Sequence, residues 1–157
     1  DLLQASADVL SVQPENLPAA VARFFSEWKE QKKTIERLQK SVVDLQMQHL
    51  EGEMFDGVRV VVRQVDAAQK ELVALANNVS AEGGVALFVS GDGNMRVVAA
   101  SGTPAVNAVE IVKTVCGILG GKGGGKPALA QGAGTDTSRL DEALEHGRNE
   151  ILEALHG

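Results

Sequence analysis

The sequence predicts an α+β fold, in which an N-terminal long-helix subdomain is followed by a small globular domain with a mixed β-sheet packed by helices. Residues 18–50 repeat apolar side chains at alternating spacings of four and three, which is typical of a long amphipathic helix. Residues 58–65 and 85–89 are short valine-rich runs bounded by turn-forming residues, and such runs predict strands. We therefore expect a helical dimerisation subdomain, residues 1–52, and a globular subdomain, residues 53–157.

The helical subdomain is predicted to contain two helices. The first covers residues 2–12, and the segment 14–18, with two prolines, ends it and offers Asn16 as an N-cap for the next helix. The second helix, residues 18–50, would be roughly 45 Å long, which exceeds the span of a small globular domain. Part of its apolar stripe therefore needs a partner.

The apolar stripe of the second helix predicts a dimer interface. Its heptad spacing is sustained over four heptads, and Gln31 and His49 are the polar residues on it. The chain's own first and last helices could cover the stripe, but we favour a second copy of the chain, with Gln31 fixing the register. The predicted coiled-coil interface comprises Val21, Phe24, Trp28, Gln31, Ile35, Leu38, Val42 and Leu45.

The globular subdomain is predicted to contain four short strands with helices packed on one face of the sheet. A strand over 58–65 precedes a helix over 67–77, and a turn at 90–94 joins the strand 85–89 to a hairpin partner at 95–100. The remaining predicted elements are a helix over 106–119, a short strand over 128–131 and a final helix over 137–155.

Charge and composition exclude several classes of function. The formal net charge is -6, which argues against a protein that holds nucleic acid by bulk electrostatics. Residues 57–136 are nearly balanced, with seven basic and six acidic side chains, so any RNA contact must be local. The sequence has neither a long apolar run nor a signal pattern, so we expect no membrane partner and a cytoplasmic location.

No residue pattern indicates catalysis or a bound metal. Cys116 is the single cysteine, and it lies on the apolar face of its predicted helix, so we expect it in the core. The three histidines lack zinc-ligand spacing, and the acidic pairs Glu51/Glu53 and Asp141/Glu142 are typical of solvated surfaces. We therefore predict no catalytic residue, no metal, no cofactor and no small-molecule substrate for this chain.

The glycine-rich segment 120–126 is the main candidate for a binding site. Five of its first six residues are glycine, which leaves backbone N–H groups uncovered, and Lys122 and Lys126 supply positive charge. The segment satisfies the spacing of a P-loop, but Pro127 replaces the Ser or Thr that would hold Mg²⁺, and a helix rather than a strand precedes it. The pattern therefore indicates an anion-receiving loop and disfavours nucleotide hydrolysis.

Two segments carry a resemblance to a known family. The run GGKGGGKPALAQGAG at residues 120–134 resembles the glycine-rich RNA-binding module that ends alanyl-tRNA synthetases and also accompanies DHH-type phosphoesterases. Residues 8–31, which include RFFSEWKEQ, are similar to the archaeal form of that synthetase. Ala133 stands where many members have another glycine.

The resemblance implies a noncatalytic C-terminal module of an archaeal-type alanyl-tRNA synthetase, a ligase whose aminoacylation and editing domains would lie upstream. It also implies a homodimer formed through helices, and a contact with the outer corner, or elbow, of alanine-specific tRNA. Backbone N–H groups and lysines would meet phosphates and give position rather than sequence specificity. The residues so implicated are Lys122, Gly123, Gly124, Gly125, Lys126, Gln131, Gly132 and Gly134.

Two alternatives stay open at this point. The chain could be the substrate-binding half of a DHH-type phosphoesterase that acts on short nucleic acid, although the long N-terminal helix disfavours this interpretation. It could also be a purely structural oligomerisation module, in which the glycines only make a tight connection between helix and strand. The remaining cations Arg59, Arg63 and Arg96 are interpreted as residues that solubilise the open face of the sheet.

Overall fold

The computed structural model describes the backbone of residues 1–157 and every side chain except that of residue 47. The chain forms two compact units, Asp1–Val42 and Val43–Gly157. The two units meet after Val42, whereas the sequence predicted a boundary after residue 52. That the residues on the two sides of residue 52 have separate functions stays a prediction.

Helices make up the first unit. Helix α1 spans Leu2–Val9 and is shorter than the predicted helix, because Ser11 adopts the left-handed conformation with φ 54°. A short 3₁₀ helix, Pro14–Asn16, precedes helix α2, which spans Leu17–His49 and has 33 residues. Helix α2 is about 50 Å long, as the apolar spacing predicted, and its turns from Val43 onward belong to the second unit.

A six-stranded sheet forms the second unit. In chain order the elements are β1 Glu53–Phe55, β2 Val58–Gln64, α3 Gln69–Ala81, β3 Val85–Ser90, β4 Met95–Ser101, α4 Ala108–Ile118, β5 Lys122–Lys126, β6 Leu129–Gly134 and α5 Leu140–His156. The strand order is β1-β2-β3-β4-β6-β5. Strands β2 and β3, joined through α3, pair in parallel, and the other neighbours pair antiparallel. The fold is therefore the α+β arrangement with a mixed sheet that the sequence predicted.

Helices cover both faces of this sheet, so the prediction of helices on one face was wrong. Leu87 and Val97 belong to one core together with residues of α4 and α5. Phe88 and Val98 belong to a second core with residues of α3. Strand β3 is buried along its whole length, because successive side chains enter opposite cores. A continuous apolar run is typical of such a strand.

Sequence reasoning missed two of the six strands. Strand β1 pairs with β2 through a turn at Asp56 and Gly57, whose φ angles are 49° and 79°. Positive φ at both residues is typical of a two-residue hairpin turn, for which Asp-Gly is a preferred sequence. Three residues were too few to show the alternation of a strand. The second missed strand is β5, which occupies the glycine-rich segment.

Candidate nucleic-acid interface

Helix α4 leads directly into the glycine-rich segment. Asn107 caps the start of the helix, where its side chain accepts a hydrogen bond from the backbone N–H of Val109 at 3.0 Å. Gly120 ends the helix in the left-handed conformation with φ +74°, and the N–H of Gly121 donates to the carbonyl of Cys116 at 2.7 Å. The chain then turns back, so that the next strand lies beside α4.

The glycine-rich segment is a β-strand and not the loop that the sequence predicted. Strand β5 pairs antiparallel with β6 through a two-residue turn at Pro127 and Ala128. We call β5, this turn and β6 the glycine hairpin. Strand β6 rather than a helix follows Lys126, so the segment lacks the strand-loop-helix arrangement of a P-loop. Strand β5 was not predicted because glycine has a low strand propensity.

Several hairpin glycines face helix α4 at close range. A Cβ atom added at Gly123 would lie 2.3 Å from Val112 Cγ1, and one added at Gly132 would lie 2.4 Å from Cys116 Sγ. Gly134 faces the end of α4 in the same way. These positions therefore need glycine because the helix approaches the hairpin backbone closely.

The outer edge of β5 carries backbone groups that no neighbouring strand covers. The N–H of Ser101 donates to the carbonyl of Ala128 at 3.0 Å. This bond and the register show that the backbone groups of the even-numbered residues of β6 point toward β4, and those of the odd-numbered residues point toward β5. Because residues of an antiparallel ladder alternate in direction, the even-numbered residues of β5 bond to β6. The N–H groups of Gly123 and Gly125 therefore point toward the open edge.

The surface of the glycine hairpin opposite α4 is exposed. Lys122, Gly124 and Lys126 lie on this surface, because side chains alternate along a strand. Gln131 of β6 lies on the same side, where its side-chain oxygen accepts a hydrogen bond from Nε2 of Gln69. We call this surface the hairpin face, and it comprises Arg96, Lys122, Gly124, Lys126, Gln131 and Ala133.

The predicted RNA-binding residues fall into two groups in the structure. One group lies together on the exposed hairpin face and consists of Lys122, Gly124, Lys126 and Gln131. The other group faces α4 or the strand edge and consists of Gly123, Gly125, Gly132 and Gly134. The second group therefore has only backbone atoms to offer a ligand, and the part of both groups in RNA binding stays a prediction.

Strand register brings a further basic residue to the hairpin face. Arg96 of β4 is exposed and lies opposite Ala133, which in turn lies opposite Lys122. The sequence of β4 alone does not show that Arg96 lies near Lys122, because this proximity depends on the register of three strands. Arg59 does not fit the solubilising role that we expected, because its guanidinium is partly buried and donates to the carbonyl of Leu50 at 2.5 Å.

The cations of the hairpin face are available to an external anion. Among the described side chains, the ion pairs within 4.0 Å lie on α2, α4 and α5 or beside β1 and β2, and they leave out Arg96, Lys122 and Lys126. An anion that approached these three residues would thus displace water rather than a carboxylate.

Cys116 is a core residue, as the sequence predicted. Its side chain is fully buried in the cluster formed by α4, α5 and the sheet. Burial raises the pKa of the Cys116 thiol to about 11, and a hydrogen bond with the backbone of Ala133 offsets part of this rise. The thiol is therefore protonated at neutral pH and unsuited to act as a nucleophile.

The apolar stripe of α2 is exposed in the single chain. Trp28 is 53% exposed and Leu38 is 56% exposed. Phe25, which lies outside the predicted interface, is 55% exposed and stacks on Trp28 with ring centroids 5.9 Å apart. Helix α1, which belongs to the same unit, thus leaves these side chains uncovered.

The described residues offer neither a cluster of metal ligands nor a helix suited to a membrane. Within them, no group of three or more His, Cys, Asp or Glu side chains is arranged to hold a metal ion. None of the helices in the same residues is both long enough and apolar enough to cross a bilayer.

Similarity to known proteins covers the whole chain. The family model of the DHHA1 domain matches residues 57–153. The chain is 76% identical over 157 residues to the alanine–tRNA ligase of Methanoculleus marisnigri, and 51% identical over 151 residues to that of Methanoregula boonei. The two alignments cover 100% and 96% of this chain but 17% and 16% of the relatives, so the chain spans about a sixth of their length.

Solved structures share the fold of a large part of the chain. The C-Ala domain of Aquifex aeolicus alanyl-tRNA synthetase matches with a TM-score of 0.58 and 26% identity, over 68% of this chain and 99% of that domain. RecJ from Thermus thermophilus matches with a TM-score of 0.55 and 14% identity, over 92% of this chain and 21% of RecJ, and shows a likeness of fold alone. The chain belongs to the DHHA1 domain family, in the form that alanine–tRNA ligases carry.

Proposed function

We propose that this chain is a noncatalytic module of an alanine–tRNA ligase, which joins two protomers through α2 and contacts the outer corner of alanine-specific tRNA through the glycine hairpin. Its similarity to alanine–tRNA ligases over the whole chain supports the choice of RNA. The geometric observation that carries the proposal is the position of Lys122 and Lys126 beside the unpaired N–H groups of Gly123 and Gly125. The module acts in the cytoplasm and has no cofactor or small-molecule substrate of its own.

Phosphate groups suit this arrangement of donors. Lys122 and Lys126 project from the same face of one strand, with Cα atoms roughly 13 Å apart, so their ammonium groups can meet different phosphates of one RNA strand. The N–H groups of Gly123 and Gly125 lie between them, and neither residue has a side chain of its own to cover the donor. Contacts of this kind fix the position of an RNA and do not read its bases.

The charge of the chain limits how tRNA approaches. With a net charge of -6, the chain has no overall attraction for RNA, so binding depends on the local cations and falls with salt. The acidic surface of α5, which includes Asp141 and Glu145, belongs to the helices on the sheet side opposite the hairpin face. RNA bound at the hairpin face therefore avoids the carboxylates of α5.

A second copy of the chain is the proposed occupant of the α2 stripe. The stripe keeps heptad spacing from Val21 to Leu45, which is the spacing that two identical helices need to interlock. Its large apolar side chains are exposed, and Gln31 supplies one polar residue that can fix the register. The seam residues of the proposed interface are Val21, Phe24, Trp28, Gln31, Ile35, Leu38, Val42 and Leu45.

The tRNA contact is tested by removing both lysines of the hairpin. Binding of an alanine-accepting tRNA transcript is measured for wild type and for Lys122→Ala/Lys126→Ala at several salt concentrations. The proposal expects the double variant to bind more weakly and to lose about 1.4 to 1.8 units of the slope of log K against log salt. The control, Lys113→Ala/Arg139→Ala, removes two exposed cations from the side of the sheet that α4 and α5 cover. Equal losses in the two double variants would contradict the proposal.

One observation favours a second candidate function. Gly123 and Gly132 pack closely against α4, so packing within the chain alone could explain these glycines. This favours a purely structural oligomerisation module. If the lysine variant bound tRNA as tightly as wild type while the chain remained a dimer, this second function would replace the first.

A further inference from the structure

Arg96 and Lys122 lie in one cross-strand row on the hairpin face. Arg96 is opposite Ala133 in the β4–β6 ladder, and Ala133 is opposite Lys122 in the β6–β5 ladder. Adjacent strands are about 4.8 Å apart, so the two Cα atoms are about 10 Å apart. Only the methyl group of Ala133 stands between the two cationic side chains in this row.

The two side chains point to the same exposed side of the sheet. Val97, the neighbour of Arg96, enters the core beneath α4 and α5, and Gly123, the neighbour of Lys122, faces α4. By alternation, Arg96 and Lys122 both point to the other side. Both are exposed, so the cover that α3 gives to Val98 does not extend to this row.

Gly124 lacks the intramolecular reason that explains the other glycines of β5. A Cβ atom added at Gly124 would meet nothing within 4 Å, and its φ lies outside the left-handed range. Gly123, in contrast, is constrained by Val112, and Gly125 is constrained by φ +148° and by Ala130. Gly124 therefore leaves a flat area without a side chain beside the row of Arg96 and Lys122.

We propose that the RNA backbone crosses the hairpin face from Lys122 to Arg96, over Ala133 and Gly124, and that Arg96 is a third phosphate-binding residue. This inference rests on the proposed function and specifies which surface of the glycine hairpin carries the contact. A guanidinium group matches the geometry of a phosphate with two parallel hydrogen bonds. The methyl group of Ala133 between the two cations, and the absence of a side chain at Gly124 beside them, let the sugar-phosphate chain approach the sheet closely.

Arg96→Ala tests the inference directly, with binding of the alanine-accepting tRNA transcript as the readout. We expect affinity to fall about three- to tenfold and the salt slope to fall by about 0.7 to 0.9. Arg96→Lys should keep the salt slope and recover only part of the affinity, because lysine lacks the planar fork. Lys113→Ala, which removes an exposed cation from α4, is the matched control and should bind as wild type.

The outcomes separate the inference from the proposed function. If Arg96→Ala binds as wild type while Lys122→Ala loses affinity, the inference is wrong and the proposed function stands. If neither variant loses affinity, both are wrong.

Gly124→Leu is an independent test that leaves the charges unchanged. We expect it to lower tRNA affinity about tenfold or more by occupying the flat area, and to unfold at nearly the same denaturant concentration as wild type. Wild-type affinity in a folded Gly124→Leu chain would overturn the inference.

Discussion

Gly123 lies so close to Val112 that one added carbon atom at Gly123 would stand 2.3 Å from Val112 Cγ1. The contact joins the edge strand of the sheet to the helix that precedes it, and it shows that this glycine is required for packing. The same segment carries Lys122 and Lys126 on its other surface. The glycine hairpin thus has a packing side, facing α4, and an exposed side, the hairpin face.

The two sides predict opposite effects of two neighbouring substitutions on stability. Gly123→Ala should lower the free energy of unfolding by about 1–3 kcal/mol, because the new methyl group forces Val112 and the backbone of β6 apart. Gly124→Ala should change it by less than about 0.5 kcal/mol, because nothing lies within 4 Å of the added carbon. Urea unfolding of both variants checks this, and equal losses would contradict the division of the hairpin into two sides.

The apolar stripe of α2 predicts a dimer. Charged side chains introduced on this stripe should dissociate it. Trp28→Glu/Leu38→Glu places two carboxylates on the exposed apolar stripe, which should convert the chain to a monomer without unfolding α2. Lys40→Glu, on the outer surface of the same helix, is the control and should leave the mass unchanged. Sedimentation equilibrium supplies the measurement, and a monomeric wild type at micromolar concentration would contradict the proposed interface.

Burial of Cys116 predicts both its reactivity and a pH dependence of stability. The native thiol should resist alkylation at pH 8, because its pKa is about 11 and its side chain is fully buried.

The sign of the pH effect follows from the raised pKa. The stability that the protonated thiol confers is fully present below its ordinary pKa of 9.0 and is lost as the pH rises through about 11. Urea unfolding between pH 8 and pH 11 should show this loss in wild type and a smaller one in Cys116→Ala. Rapid alkylation of the folded chain, or the same pH profile in both proteins, would contradict this account.

Several elements could be predicted from the sequence because their patterns are local. The heptad spacing of α2 and the paired strands around residues 90–94 follow from periodicity and turn residues in one stretch of chain. The last helix, predicted over 137–155, is likewise present as α5, and its apolar Ile151 is buried. These predictions needed no knowledge of which elements meet in space.

The remaining features depend on contacts between distant segments. Strand β5 is composed of residues with low strand propensity and forms because β6 pairs with it and α4 packs on it. The position of Arg96 beside Lys122 is set by the register of three strands, which sequence spacing does not contain. The sequence therefore identified the lysines and glycines of the candidate site, but the structure was needed to sort them by surface and to add Arg96.

We propose above that the glycine hairpin contacts the outer corner of a folded tRNA. The most direct test compares, at one salt concentration, the affinity of the wild-type chain for a whole alanine-accepting tRNA transcript and for an acceptor minihelix that lacks the corner. We expect the whole tRNA to bind about tenfold or more tightly than the minihelix, and we expect this preference to disappear in Lys122→Ala/Lys126→Ala. Equal affinity of the wild-type chain for the two RNAs would contradict the claim.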